Sequence, residues 1–211
     1  MNKKYDPLLH EEYGQRQPSL AILPYHGETP PKGVVLVSAG GGFTYKSHHE
    51  GNCVAARFAQ DGYLGAVLDY RVRPYTQYDI LNDVRRAVRL LKSLAPSYGY
   101  PKDNIALLGF SAGGQVSLLG GTHFDDGNLN SPDPVERFSS RQDLILDPRF
   151  SLNLAIRLYE HNLPFELHVY DEGAHGIGLA DDTNILKEYS SHHLNTWVSL
   201  CSEWLDEKFS R

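Results

Sequence analysis

The sequence predicts one α/β domain over residues 1–211, built on a mainly parallel sheet with helices on both faces. Strand and helix signals alternate along the chain. Two strand signals, Val34-Val35-Leu36-Val37 and Ile105-Ala106-Leu107-Leu108, are continuously apolar, as strands buried on both faces must be. The length of 211 residues suits one domain and suffices for a substantial core.

Strands are expected near 20–24, 34–38, 64–70, 105–110, 144–146 and 165–170. The last, Phe165-Glu166-Leu167-His168-Val169-Tyr170, alternates apolar and polar residues and reads as a strand with one face more exposed. Helices are expected near 49–61, 79–95, 112–120, 150–161 and 184–208. The second presents Ile80, Val84, Ala87, Val88 and Leu91 on one face, which leaves Arg85, Arg86 and Arg89 as a solvated basic face. The last carries the stripe Trp197, Leu200, Cys201, Trp204 and Leu205, and Asp181, Asp182 and Thr183 mark its start as acceptors for free N–H groups. No internal repeat or low-complexity tract interrupts this order. The polar segment 122–142 is longer than most connections in a compact domain.

Chemistry concentrates at Gly109-Phe110-Ser111-Ala112-Gly113-Gly114, between an apolar strand and a helix-compatible run. Gly-x-Ser-x-Gly in a strand–turn–helix setting is the nucleophile elbow. Small residues at 109, 112 and 113 let strand and helix nearly touch, and the turn strains the serine. A serine alone is a poor nucleophile and needs partners. Ala39-Gly40-Gly41-Gly42-Phe43 follows an early strand, and its N–H groups can approach a carbonyl oxygen. Gly41, Gly42 and Ala112 are therefore the candidate oxyanion-hole donors.

Ten histidines compete for the role of base. His175 sits in a glycine-flanked loop just past a late strand, where the order Ser, acid, His places the base. His168 lies within that strand, and the adjacent pairs His48-His49 and His192-His193 read as capping or solvent-facing residues. The acid must lie between Ser111 and His175. Asp143 and Asp147 flank Leu144-Ile145-Leu146, and Asp147, at the end of that run, has the better local geometry. Asp125, Asp126 and Asp133 stand in the polar loop and read as solvated.

Gly40-Gly41-Gly42-Phe43, Asp69-Tyr70-Arg71-Val72, the elbow, Thr122-His123-Phe124-Asp125 and Gly173-Ala174-His175-Gly176-Ile177-Gly178-Leu179 occur in this order. As a set they resemble the α/β-hydrolase esterases of the acetylxylan esterase, or xylanase-associated carbohydrate esterase, family. The resemblance runs from about Ala21 to Trp204 with one interruption. It implies an α/β-hydrolase fold and a serine esterase with no metal or organic cofactor. The substrate implied is a small ester carrying a short acyl group such as acetyl, as on an acetylated saccharide. Asp143-Leu144-Ile145-Leu146-Asp147-Pro148-Arg149-Phe150-Ser151-Leu152 fits the acid loop of such proteins, and that register transfers the acid role to Asp143, with Asp147 second. Ala39 stands where many relatives carry His or Pro, a departure that removes no backbone donor.

The interruption lies before the acid. Relatives place a strand, a connection and a second strand there, whereas residues 122–142 are polar and contain proline. The sheet is therefore expected to be shorter by about two strands. Either the strand at 165–170 moves in beside the strand at 105–110, or a sheet edge stays open. The expected consequence is a homodimer paired through that edge, or low stability with a poorly ordered 122–142 loop.

Composition excludes other classes. A formal charge of -6 offers no basic surface to nucleic acid. Cys53 and Cys201, far apart, make neither a disulfide framework nor a zinc pattern. The start, Met1-Asn2-Lys3-Lys4-Tyr5-Asp6-Pro7, lacks an apolar signal core and no run is long enough to span a membrane, so the expected location is the cytoplasm.

Two rival readings remain at this point. A peptidase or amidase would use the same triad, and a catalytically impaired hydrolase-fold protein would account for the missing block. The choice of acid is open to direct test. Asn variants of Asp143 and Asp147 separate them, because loss of the true acid leaves the imidazole in the wrong tautomer and costs on the order of ten-thousandfold in turnover. Asp143→Asn is expected to be the crippled variant; a crippled Asp147→Asn beside an active Asp143→Asn reverses the assignment.

Overall fold

The computed structural model describes residues 17–141, 144–146, 151–170, 173, 175–182 and 191–210. Asp143 and Asp147 lie outside these residues.

Among the described residues five strands form one sheet: β1 (Ser19–Ile22), β2 (Val34–Ser38), β3 (Leu64–Asp69), β4 (Ile105–Gly109) and β5 (Leu144–Leu146). Their spatial order is β1-β3-β2-β4-β5. β3, β2, β4 and β5 run parallel, and β1 is antiparallel on the edge of β3. Among the described residues five α-helices accompany them: α1 (Asn52–Gln60), α2 (Gln77–Tyr98), α3 (Ala112–Thr122), α4 (Ser151–Glu160) and α5 (His192–Phe209). The class expected from the sequence, a mainly parallel and shortened sheet with helices, is the class observed.

Period-two alternation explains why both faces must be covered. Val34 and Leu36 join Ile80, Val84, Val88 and Leu91 of α2 in one core cluster. Val35 and Val37, pointing the other way, join Phe58 of α1 and Val198, Trp204 and Leu205 of α5. The apolar stripe read on α2 and, Leu200 apart, the stripe read on α5 are thus the surfaces that face the sheet. Thr76 caps α2 in a reciprocal box with Asp79, which explains why the helix starts at Gln77, two residues earlier than periodicity suggested.

Three expectations need correction. Residues 165–170 form no strand. The place beside β4, where they were expected, is taken by β5 in the register Ala106↔Leu144, Leu107↔Ile145, Leu108↔Leu146, and a strand needs a paired neighbour as well as an alternating pattern. In the described sheet β5 is the edge. The final helix is capped by Ser191, whose hydroxyl accepts from Leu194 N, and not by Asp181 or Asp182; Thr183 lies outside the described residues.

The third correction concerns the basic face of α2, which grips the polar loop instead of meeting solvent. Arg89 is only 7% exposed. Its guanidinium donates to Phe138 O at 3.0 Å, to Glu136 Oε2 at 2.9 Å and to Asp125. Arg86 reaches Glu136 and Asp133, and Arg85 donates to His123 O. Asp125 and Asp133 are therefore partners, while Asp126 stays exposed with a side chain 90% accessible. Burial works to raise the Asp125 carboxyl. The Arg89 hydrogen bond, the Gly127 N–H and the charges of Arg89 and Arg85 outweigh it and hold the group below the ordinary carboxylate range. A carboxyl depressed in the folded state stabilises above its unfolded value, about pH 4, and the clamp weakens as pH falls below it.

Arg89→Ala tests this clamp. A fully buried pair that loses one partner costs roughly 3–5 kcal/mol, but the carboxylates here stay hydrated, so about 1–2 kcal/mol is expected. The readouts are a lower urea midpoint and faster proteolytic cleavage within 123–140; an unchanged midpoint contradicts the clamp.

Candidate active site

β4 runs directly into α3 with almost no space between them. A Cβ on Gly113 would collide with the Ser38 carbonyl at the end of β2, and one on Gly109 would collide with the Gly113 carbonyl. Ser111, at the apex, adopts φ +54° and ψ -124°. A side chain so placed is strained by about 1–3 kcal/mol and persists because its surroundings fix it. Gly113 N donates to Phe110 O at 2.7 Å, closing the turn.

The Ser111 hydroxyl lies 3.0 Å from His175 Nε2. Sequence neighbours of His175 are held on two sides. Trp197 Nε1 of α5 donates to Gly178 O at 3.1 Å and Asn195 Nδ2 donates to Leu179 O at 2.6 Å. From the other side His49 Nε2 lies 2.7 Å from Gly176 O; a carbonyl only accepts, so this nitrogen carries the proton. Gly176 itself sits at φ +82°, a left-handed conformation that favours glycine.

The glycine turn abuts the serine. A Cβ on Gly40 would lie 2.6 Å from Ser111 Cβ. Thr44 N and Ser47 N donate to Gly41 O and Gly40 O, folding residues 40–47 into a tight reversal. Gly41 takes φ +137° within it. Among the described residues the N–H groups of Gly41, Gly42 and Ala112 donate to no protein acceptor. The Ala39–Gly40 peptide unit is pinned at both ends: Tyr70 OH donates to Ala39 O at 2.6 Å, and Gly40 N donates to Glu50 Oε2 at 2.8 Å. Burial, with the charges of Glu50 and Asp69 behind it, pushes the Tyr70 hydroxyl well above its ordinary value, so it stays protonated and donating. Lys46 ties Asp69 and Tyr70 O back to the same turn. Arg71, next in line, forks onto buried Asp83 of α2.

Of the residues singled out from the sequence, Ser111 and His175 meet, and Gly41, Gly42 and Ala112 lie on the two backbone turns bordering Ser111. Asp143 and Asp147 fall outside the described residues. His48 is exposed as read, whereas His49 tethers the His175 loop. Glu50, Tyr70 and Arg71 carried no signal as site supports beyond the Asp69-Tyr70-Arg71-Val72 motif. Among the described residues no group of three or more His, Cys, Asp or Glu could hold a metal ion. No helix there is long and apolar enough to cross a membrane.

A strained serine between a parallel strand and a helix, with a histidine at hydrogen-bonding distance and a glycine turn alongside, defines an α/β hydrolase. The chain belongs to the BD-FAE family, whose model matches residues 21–148. It is 30% identical over 125 residues to endo-1,4-beta-xylanase B of Butyrivibrio fibrisolvens, a match to 57% of this chain and 20% of that protein. Esterase LipC of Mycobacterium tuberculosis (strain ATCC 25618 / H37Rv) is 31% identical over 100 residues, 46% of this chain and 25% of that one. The chain thus spans a quarter or less of these relatives. The crystal structure of an acetyl ester-xyloside bifunctional hydrolase from Caldicellulosiruptor lactoaceticus superposes with a TM-score of 0.80 at 29% identity, covering 97% of this chain and 91% of that one. The carboxylesterase Cest-2923 from Lactobacillus plantarum shares the fold at 18% identity, with a TM-score of 0.68 and 90% and 92% coverage.

Proposed function

We propose that the protein is a serine carboxylic-ester hydrolase that removes short acyl groups, acetyl above all, from carbohydrate or other small esters. The observation that carries this reading is the 3.0 Å separation of Ser111 Oγ and His175 Nε2 at a strained elbow. In the proposed reaction the Ser111 hydroxyl donates to Nε2, and His175 takes its proton as the oxygen attacks the ester carbonyl. The carbonyl oxygen gains charge as the tetrahedral intermediate forms. The N–H groups of Gly41, Gly42 and Ala112 receive that charge. His175 then protonates the leaving alcohol, and water repeats the cycle on the acyl-serine. A carboxylate, Asp143 by resemblance or Asp147, orients the imidazole and stabilises its cation. The chemistry needs no cofactor. The esterase and the acetyl ester hydrolase among the relatives support the choice of ester over amide.

Two experiments test it. A fluorophosphonate should label Ser111 stoichiometrically, and Ser111→Ala should lower p-nitrophenyl acetate turnover on the order of a millionfold with far-UV circular dichroism unchanged. Residual activity within about tenfold of wild type removes Ser111 from the mechanism.

Acyl length tests the substrate class. Phe43 packs edge-on against Tyr70, with ring centroids 6.4 Å apart, beside the glycine turn. Acetyl and propionyl esters should be cleaved faster than octanoyl esters. An apolar acyl pocket would gain about 0.8 kcal/mol per methylene, so a rate climbing steadily to octanoate defeats the short-acyl reading.

A further inference from the structure

Glu50 is a charged side chain with only 2% of its surface exposed, and the mechanism above does not use it. Burying a carboxylate carries a large desolvation cost, which invites a search for what it holds. Its Oε2 accepts from Gly40 N at 2.8 Å. Its Oε1 faces the histidine loop: a Cβ on Gly176 would lie 3.0 Å from it. The preceding residue, His49, donates to Gly176 O at 2.7 Å. The carbonyl of His49 also backs onto Gly178, where a Cβ would lie 2.9 Å from it. One short turn, His48–Glu50, therefore touches both the glycine turn and the loop that carries His175.

We propose that Glu50 is a positioning residue for the oxyanion turn, and that the turn His48–Glu50 fixes the distance between that turn and the His175 loop. The proposal rests on the esterase reading for its kinetic consequence, but its structural half stands apart from it. By accepting from Gly40 N, Glu50 orients the Ala39–Gly40 peptide, whose carbonyl Tyr70 holds from the other end. The next two N–H groups, Gly41 and Gly42, then point where those two anchors set them. Preorganised donors cost no reorganisation as charge develops. Their misplacement lowers turnover without weakening ground-state binding, because the donors act on the oxyanion and not on the resting ester.

The test compares wild type, Glu50→Ala, Glu50→Gln and His49→Ala by two readouts. With p-nitrophenyl acetate, Glu50→Ala should lose about a hundredfold in kcat at unchanged KM, the scale of one misplaced or missing oxyanion donor. Glutamine keeps an oxygen acceptor for Gly40 N, so Glu50→Gln should restore most of that loss. Amide hydrogen exchange needs no substrate. Glu50→Ala should speed exchange in the peptide 38–47 and also in 173–180, and Glu50→Gln should leave both near wild type.

Wild-type kcat and exchange in Glu50→Ala overturn the proposal, as does a Gln variant as impaired as Ala. Should Glu50→Ala fail to fold, His49→Ala decides, since His49 is only partly buried. It should lower kcat at constant KM and speed exchange in 173–180, and wild-type behaviour in both overturns the coupling. A wild-type protein that hydrolyses no ester and takes no fluorophosphonate sinks the esterase reading, while the exchange data still decide whether Glu50 holds the two segments together.

Discussion

The close approach of α3 to the ends of β2 and β4 is the constraint on which the remaining site geometry depends. No side chain fits at Gly113 against the Ser38 carbonyl or at Gly109 against the Gly113 carbonyl. With both backbones in contact, the chain has only Phe110 and Ser111 in which to turn from strand to helix. Ser111 takes the sharper part of the turn, and its φ of +54° is the consequence. The same approach brings the glycine turn after β2 beside the serine, because β2 and β4 are paired in register up to Ser38↔Gly109. Neighbouring parallel strands end together, and whatever follows them is brought together as well. The strain at Ser111 is offset by burial of Val35, Val37, Ala106 and Leu108 on one face and of Leu36 and Leu107 on the other.

Shortening the sheet changes its edge more than its centre. The strands that carry the glycine turn and the elbow, β2 and β4, are both interior. β5 gives β4 its second neighbour, so the elbow strand is not an edge. The polar stretch that stands in place of the expected block is bound to α2 through Arg85, Arg86 and Arg89. Ionic and carbonyl contacts there do the anchoring that an apolar layer does elsewhere. A segment without an apolar run attaches here because Arg89, a buried guanidinium, presents several donors, with Arg85 and the more exposed Arg86 beside it.

What was legible in the sequence was local. The elbow, the glycine turn and the helix stripes each show within a dozen residues, because strand–turn–helix geometry and a 3.6-residue period are short-range facts. His175 was legible from its glycine-flanked place in chain order. What was illegible depends on partners far along the chain. Arg89 looks like a solvent-facing cation until the loop at 125–138 folds onto it. Phe165 to Tyr170 alternate like a strand, yet pairing is a property of two segments, and β5 occupies the place beside β4. Glu50 looks like a polar residue before a helix, and only the fold packs it between two turns that are far from each other in sequence.

The positions of Ser111 and His175 are thus held by different means. Ser111 is fixed by covalent geometry and contact of bare backbones, so its placement needs small residues and little else. His175 lies on a loop with several left-handed residues, including Gly173, Gly176 and Gly178. Beside the internal bond from Ala180 N to Ile177 O, it is held by donors supplied by others: His49 from the turn after the glycine triplet, Asn195 and Trp197 from α5. α5 also buries Val198, Trp204 and Leu205 in the core behind the sheet. The helix that buries Val198, Trp204 and Leu205 therefore also helps hold the loop of the imidazole that meets the serine hydroxyl. The elbow thus rests on local packing, and its histidine on hydrogen bonds from two segments distant in sequence, His49 and the last helix.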